Sequence, residues 1–195
     1  LSLAVALFFF VSAAAHFYVG WLRPKWYTSN LAQGINKARW YEYGISASIM
    51  MVAIAMLAGM EDFTAIIMVF ALTFVMNMMG LVMETHNKLK DVKPNWLSFY
   101  IGSIAGAIPW AVIAIYFWAA ETGATSTDSS IPTFVYIIFI TIFLFFNCFA
   151  FNMILQYKRV GKWSDYIYGE RVYMILSLVA KSLLAWQIFF GTLRP

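Results

Sequence analysis

Long apolar segments alternate with short charged segments along this chain. Six segments contain almost no Lys, Arg, Asp or Glu, and each is close to or above the length of about 20 apolar residues that crosses a bilayer. They are residues 1–22, 43–60, 63–83, 94–120, 129–157 and 172–193. Lipid excludes open strands, and the sequence lacks the strict alternation of a membrane β-barrel. The pattern therefore predicts six transmembrane helices.

These helices are predicted to form a single transmembrane domain over residues 1–195, with an all-α fold. The expected helices are at about 1–22, 30–59, 62–84, 95–119, 131–157 and 168–193. The second helix is expected to begin ahead of its apolar run, because Ser29 and Asn30 are good N-cap residues. The connections are too short to hold a second domain.

The first apolar run could instead be a signal peptide. It is longer than the roughly 7–15-residue hydrophobic core of such a peptide, and no basic residue precedes it. A transmembrane helix is the better interpretation. Because the chain opens at Leu1 inside an apolar run, without a polar leader, we expect a longer parent protein that continues upstream.

Composition agrees with a membrane protein. Hydrophobic residues make up 63% of the 195 residues and charged residues 11%, whereas a soluble domain carries roughly 25% charged residues. This excludes an ordinary soluble enzyme, and the single Cys excludes a disulfide scaffold. The net charge of +4 does not indicate nucleic-acid binding, because the basic residues are not clustered on one face. No metal site is predicted.

Basic residues occur in alternate connections. Counted with their flanking residues, connections 23–38, 85–95 and 157–171 hold four, three and four Lys or Arg, which is eleven of the thirteen in the chain. The opposite connections, 60–62 and 121–130, hold none. By the positive-inside rule, the basic connections are cytoplasmic and both ends of the chain are extracellular. The same residues could also form a surface for lipids or a partner.

Lys181 interrupts the last apolar run, with nine uncharged residues before it and twelve after it. An ionised Lys at mid-membrane costs about 2.5–3.5 kcal/mol on insertion scales, so such a residue usually has a function. Glu42 is the available partner for it. A neutral amine can attack an aldehyde to form a Schiff base, which needs a counter-anion once it is protonated. The alternative is a structural ion pair that joins two helices.

Other polar residues share helical faces with this pair. Ser177 precedes Lys181 by one turn, and Ser12 and His16 are four residues apart on the first helix. If the second helix begins near residue 30, Glu42 lies almost three turns inside it, between Arg39 and Ser46 on one face. Aromatic residues on the later helices either pack against neighbours or line a pocket.

The chain resembles a microbial-type rhodopsin, and specifically a heliorhodopsin. Three segments carry the resemblance: R-W-Y-E-Y-G-I-S-A-S-I-M at 39–50, F-F-N-C-F-A-F-N-M-I-L-Q-Y at 145–157 and S-L-V-A-K-S-L-L-A-W-Q at 177–187. It extends over essentially the whole chain. The resemblance implies a rhodopsin-like seven-helix bundle, of which the six predicted helices are the second to the seventh. It also implies the extracellular C-terminus that the basic residues predict.

The resemblance further implies a cofactor, all-trans retinal, attached to Lys181 as a protonated Schiff base with Glu42 as its counterion. The implied polar residues around this pair are Ser177, Ser46, Ser12 and His16, with Arg39 closing the cytoplasmic side. The implied lining residues of the polyene are Trp110, Trp186, Phe145, Phe146, Asn77, Met78 and Met79. The resemblance also implies a homodimer. The other expected partners are the lipid bilayer and an unidentified cytoplasmic signalling protein.

Within the wider superfamily, outward proton pumps carry carboxylates on the counterion helix at i and i+11, with a hydroxyl at i+4. Here these positions are Glu42, Ala53 and Ser46, so the internal proton donor is absent, and Ser177 occupies a position where pumps tend to carry Asp. A single internal carboxylate offers no evident proton relay. We therefore expect a light sensor that is not an enzyme. The alternatives are light-driven ion transport in the same fold, and a non-photochemical protein with a structural Glu42–Lys181 pair.

Overall fold

The structure, a computed structural model, describes residues 1–87, 93–122 and 131–193. Within these ranges, all the regular secondary structure is helical. The α-helices are Ser2–Phe17 (α1), Pro24–Ala32 (α2), Lys37–Leu57 (α3), Phe63–His86 (α4), Leu97–Glu121 (α5), Thr133–Tyr157 (α6) and Tyr166–Thr192 (α7). A π-helical turn, Tyr18–Leu22, continues α1, and a 3-10 turn, Gly161–Ser164, precedes α7.

Six helices in the described ranges are long and apolar enough to cross a membrane. They are Ser2–Leu22, Lys37–Leu57, Phe63–His86, Leu97–Ala120, Thr133–Tyr157 and Tyr166–Thr192. The predicted all-α membrane fold with six spans is confirmed. Part of the basic connection 85–95, with Lys88 and Lys90, lies outside the described residues, as do most of the opposite connection 121–130, with Asp128, and the terminal Arg194.

The second span begins at Lys37, so its predicted start near residue 30 is wrong. Residues around that point form the separate helix α2. The chain then passes through Gly34 in the left-handed region, at φ 73°, which an α-helix does not contain. Asn36 caps the new helix, because its side chain accepts the backbone N–H of Arg39 at 3.1 Å. Glu42 therefore lies in the second turn of α3 instead of almost three turns inside.

Residues Leu1–Ile131 form one compact unit that contains α1 to α5. Within it, α3 packs against α1 and α4, and α4 packs against α5. The backbone of α4 comes close to α3 at Gly80, where the ring of Trp40 occupies the space that a Cβ atom would need. Helix α3 carries four buried polar side chains, those of Arg39, Glu42, Ser46 and Ser48.

Residues Pro132–Pro195 form a second compact unit, in which α6 and α7 pack as a helical hairpin. Asn152 on α6 holds the connection in place. Its Oδ1 accepts the indole N–H of Trp163 at 2.6 Å, and its Nδ2 donates to the carbonyl of Gly169 at 3.1 Å. Asp165 caps α7 by accepting the N–H of Ile167 at 3.0 Å. These bonds fix the start of the helix that carries the membrane-embedded lysine.

Candidate functional site

Lys181 is buried on α7, with 5% of its surface exposed. Its Nζ donates to Ser177 Oγ at 2.9 Å, one turn earlier on the same helix. The sequence predicts this contact, because residues four apart lie on one helical face. A buried primary amine whose orientation is set by a hydrogen bond is suited to condense with an aldehyde.

Glu42 is buried on α3, with 6% of its surface exposed. Its Oε1 accepts a hydrogen bond of 2.6 Å from Ser12 Oγ on α1, thirty residues earlier in the chain. The same hydroxyl lies 3.0 Å from the carbonyl oxygen of Phe8, which is a second acceptor. A distance of 2.6 Å lies at the short end of the range for O–H···O hydrogen bonds. The structure thus brings together two of the predicted polar residues.

Ser46 and His16, two further predicted polar residues, lie in different environments. Ser46 is completely buried one turn beyond Glu42, and its Oγ has no hydrogen-bond partner among the described residues. A buried hydroxyl in this state is expected to bind a water molecule or a ligand. His16 is exposed, and its Nδ1 lies 2.8 Å from the backbone carbonyl of Ser12.

Arg39 forms an ion pair with Glu84 of α4, a residue that is not among the site residues predicted from the sequence. Both side chains are almost fully buried, 4% and 2% exposed. The other carboxylate oxygen of Glu84 accepts the backbone N–H of Asn36 at 2.9 Å. The guanidinium of Arg39 also lies 4.2 Å from the ring centroid of Trp40. Arg39 is therefore anchored to the neighbouring helix.

A periodic stripe on α4 is the signal that could have identified Glu84. Thr73, Asn77, Gly80 and Glu84 recur at spacings of three and four residues, and each is polar or small in a mostly apolar helix. All four are buried. Such a stripe marks the face of a membrane helix that packs against protein instead of lipid.

The expectation of a single internal carboxylate is wrong. Glu42, Glu84 and Glu170 are all buried, with 6%, 3% and 4% of their surfaces exposed. Glu170 lies in the first turns of α7, although its position in the sequence also falls in the predicted connection 157–171. The described residues therefore contain more than one buried carboxylate.

The predicted lining residues differ in exposure. Trp110 is buried, and Asn77 is buried and donates to the carbonyl of Thr73 at 2.9 Å. Trp186 is 58% exposed and stacks on Phe190 with 5.5 Å between ring centroids. The half-buried residues of this set are Met78, Met79, Phe145 and Phe146. Their role in lining a chromophore stays a prediction.

Comparison with known families decides between the classes of membrane protein. The family model described as Heliorhodopsin matches residues 1–193. The chain belongs to the heliorhodopsin family. It is accordingly an integral membrane protein of the retinal-binding, photoreceptor type and not a typical enzyme. No curated protein matches the chain.

The buried residues of the chain fit the chromophore of that family. Retinal is an aldehyde, so covalent binding needs a primary amine shielded from water and a carboxylate to balance the resulting positive charge. Lys181 carries a buried primary amine and Glu42 a buried carboxylate, so groups of both kinds are present. The hydroxyl of Ser46 is a further buried polar group with no partner in the described ranges. The pairing of Glu42 with Lys181 stays a prediction, because the two residues belong to different units of the chain.

Proposed function

We propose that the protein is a light sensor that binds all-trans retinal through Lys181. The observation that supports this proposal is a lysine buried in a membrane-spanning helix, with its Nζ hydrogen-bonded to Ser177. A charge at this position is costly in a membrane and is usually retained for a function. When bound as a protonated Schiff base, retinal absorbs visible light and isomerises, which supplies the energy for a conformational change.

Glu42 is the proposed counterion, and the hydrogen bond that Ser12 donates is proposed to depend on the state of Glu42. While the carboxylate is ionised, the Ser12 hydroxyl donates to it at 2.6 Å. If Glu42 loses charge or moves, the same hydroxyl can turn to the Phe8 carbonyl at 3.0 Å. Because Ser12 and Glu42 lie on different helices, this exchange of acceptors would alter the bond between α1 and α3.

The sensor proposal includes an orientation and partners. We place the basic connections 23–38, 85–95 and 157–171 in the cytoplasm and both ends of this chain outside, since Lys and Arg accumulate on the cytoplasmic side of membrane proteins. A cytoplasmic partner would then recognise the conformational change by binding to the basic connections. A homodimer is proposed by analogy with the family alone.

The first experiment is the visible absorption spectrum of membranes that contain the full-length protein, with and without added all-trans retinal. We expect a retinal-dependent band that hydroxylamine bleaches and that Lys181→Ala abolishes. The matched control is Lys162→Ala, which changes an exposed lysine and should keep the band. A folded protein that stays colourless with retinal would contradict the proposal, as would a band that survives in Lys181→Ala.

Light-driven proton transport is a second candidate. The observation that favours it is that Glu84 and Glu170 are buried as well as Glu42. Illumination of sealed vesicles in weakly buffered medium separates the two candidates. Transport predicts a change in external pH that a protonophore abolishes, whereas a sensor predicts no lasting change. A protein that binds no retinal and shows no colour would leave the third possibility, in which the buried charges are purely structural.

A further inference from the structure

The first turn of α3 carries charges that disfavour the start of a helix. Lys37 and Arg39 are both in this turn, and no acidic residue accompanies them. Because the N-terminus of a helix is the positive end of its dipole, cations there are destabilising and carboxylates are stabilising. A negative group from elsewhere in the protein would therefore stabilise the start of this helix.

Glu84 of α4 supplies that negative group. In an ordinary capping box, the N-cap side chain accepts the N–H of the third helical residue, and an acid at that third position accepts the N–H of the N-cap residue. Asn36 makes the first bond, at 3.1 Å to the N–H of Arg39. Since Arg39 occupies the third position, Glu84 makes the second bond instead, at 2.9 Å to the N–H of Asn36, 48 residues away.

A single carboxylate thus completes the cap and neutralises the cation next to it. One oxygen of Glu84 pairs with the Arg39 guanidinium, and the other accepts the Asn36 N–H. These groups are buried, so the bonds are shielded from water and from salt. Trp40 packs against Gly80, one turn before Glu84, and so keeps the two helices close at this point.

We propose that Glu84 is a positioning residue that fixes the start of α3 and thereby the position of Glu42. Glu42 follows Arg39 by three residues, so it lies in the helical turn directly after the one that Glu84 caps. Its carboxylate accepts the hydrogen bond from Ser12. Loss of this cap would allow the first turn to unwind and the Glu42 side chain to shift. The inference rests on the proposed function only where Glu42 is taken as the counterion.

Hydrogen exchange measured by mass spectrometry tests the cap without retinal. In the full-length protein, Glu84→Gln is expected to raise the exchange rate of amide 36 and of amides 39–42 by about 10- to 100-fold, because it removes the charge that strengthens both bonds of Glu84. Exchange in α6 should not change. The matched control is Glu61→Gln, which removes an exposed carboxylate and should leave amides 36 and 39–42 protected. Unchanged exchange in Glu84→Gln would overturn the proposal.

Asn36→Ala provides a second variant in case Glu84→Gln does not fold. It removes one of the two capping bonds and keeps the Arg39–Glu84 ion pair, so a smaller increase in exchange of the same amides is expected. Full protection in this variant would also overturn the cap.

A second readout tests the effect on Glu42. With retinal bound, Glu84→Gln should shift the visible absorption band, whereas Glu61→Gln should leave it in place. Faster exchange together with an unshifted band would overturn the positioning of Glu42, even though the cap itself exists. If the unmodified protein forms no band, the proposed function fails, and the exchange experiment still decides whether Glu84 caps α3.

Discussion

Ser12 on α1 donates a hydrogen bond of 2.6 Å to Glu42 on α3, and this bond joins two membrane-spanning helices through a buried carboxylate. Glu42 is buried, so its carboxylate depends largely on protein groups for its hydrogen bonds. A bond to a charged acceptor in such a place contributes more to stability than a neutral one.

Ser12→Ala should therefore lower the free energy of unfolding by about 1.5–3 kcal/mol, the contribution of a hydrogen bond to a charged group. Unfolding of the detergent-solubilised protein by a graded denaturant measures this change. The matched control is Ser103→Ala, an exposed serine that bonds to the Phe99 carbonyl of its own helix. Equal stability of the two variants would show that the Ser12–Glu42 bond contributes nothing.

Gly80→Ala should destabilise the protein by about 1–3 kcal/mol, because the added methyl group would overlap the ring of Trp40 and force α3 and α4 apart. The same unfolding titration measures the change. Gly20→Ala is the control, since nothing lies within 4 Å of a Cβ atom built there. A Gly80→Ala protein as stable as the unmodified one would mean that the close contact is not required.

Trp163→Phe should lower stability by about 1–3 kcal/mol, because it removes the indole N–H and leaves the Oδ1 of buried Asn152 without that donor. Trp118→Phe makes the same chemical change at a residue that is 66% exposed and should have little effect. Thermal unfolding followed by circular dichroism compares the two. The idea fails if both substitutions lower the melting temperature equally.

Arg159, the second residue after the end of α6, adopts a left-handed conformation, φ 53°, at a position where glycine is usually found. The following N–H, that of Val160, bonds back to the carbonyl of Leu155 at 3.1 Å, which closes the end of the helix. The strain of a Cβ atom at this position can be isolated by comparing Arg159→Gly with Arg159→Ala, since both lose the same charged side chain.

The Gly variant should be more stable than the Ala variant by about 1 kcal/mol, the cost of the left-handed conformation for a residue with a Cβ atom. Chemical unfolding of the two variants under identical conditions measures the difference. An Ala variant at least as stable as the Gly variant would show that the turn carries no such strain.

Much of the fold follows from local patterns. Six apolar runs predict six spans, because the length and hydropathy of a segment decide whether it crosses a membrane. The Lys181–Ser177 contact also follows from sequence, since a separation of four residues on a helix brings side chains together. The start of α3 could not be predicted from the sequence, because Ser29, Asn30 and Asn36 are all good N-cap residues and have similar local preferences for that position.

The sequence alone thus determined the membrane class of the protein, its number of spans and the lysine on the last of them, all of which depend on residues close together in the chain. Only the tertiary structure decided that Ser12 reaches Glu42, and that Glu84 caps a helix 48 residues before it. The physical reason is that a buried charge is satisfied by whichever groups surround it in space. On helices far apart in sequence, no local periodicity specifies those groups.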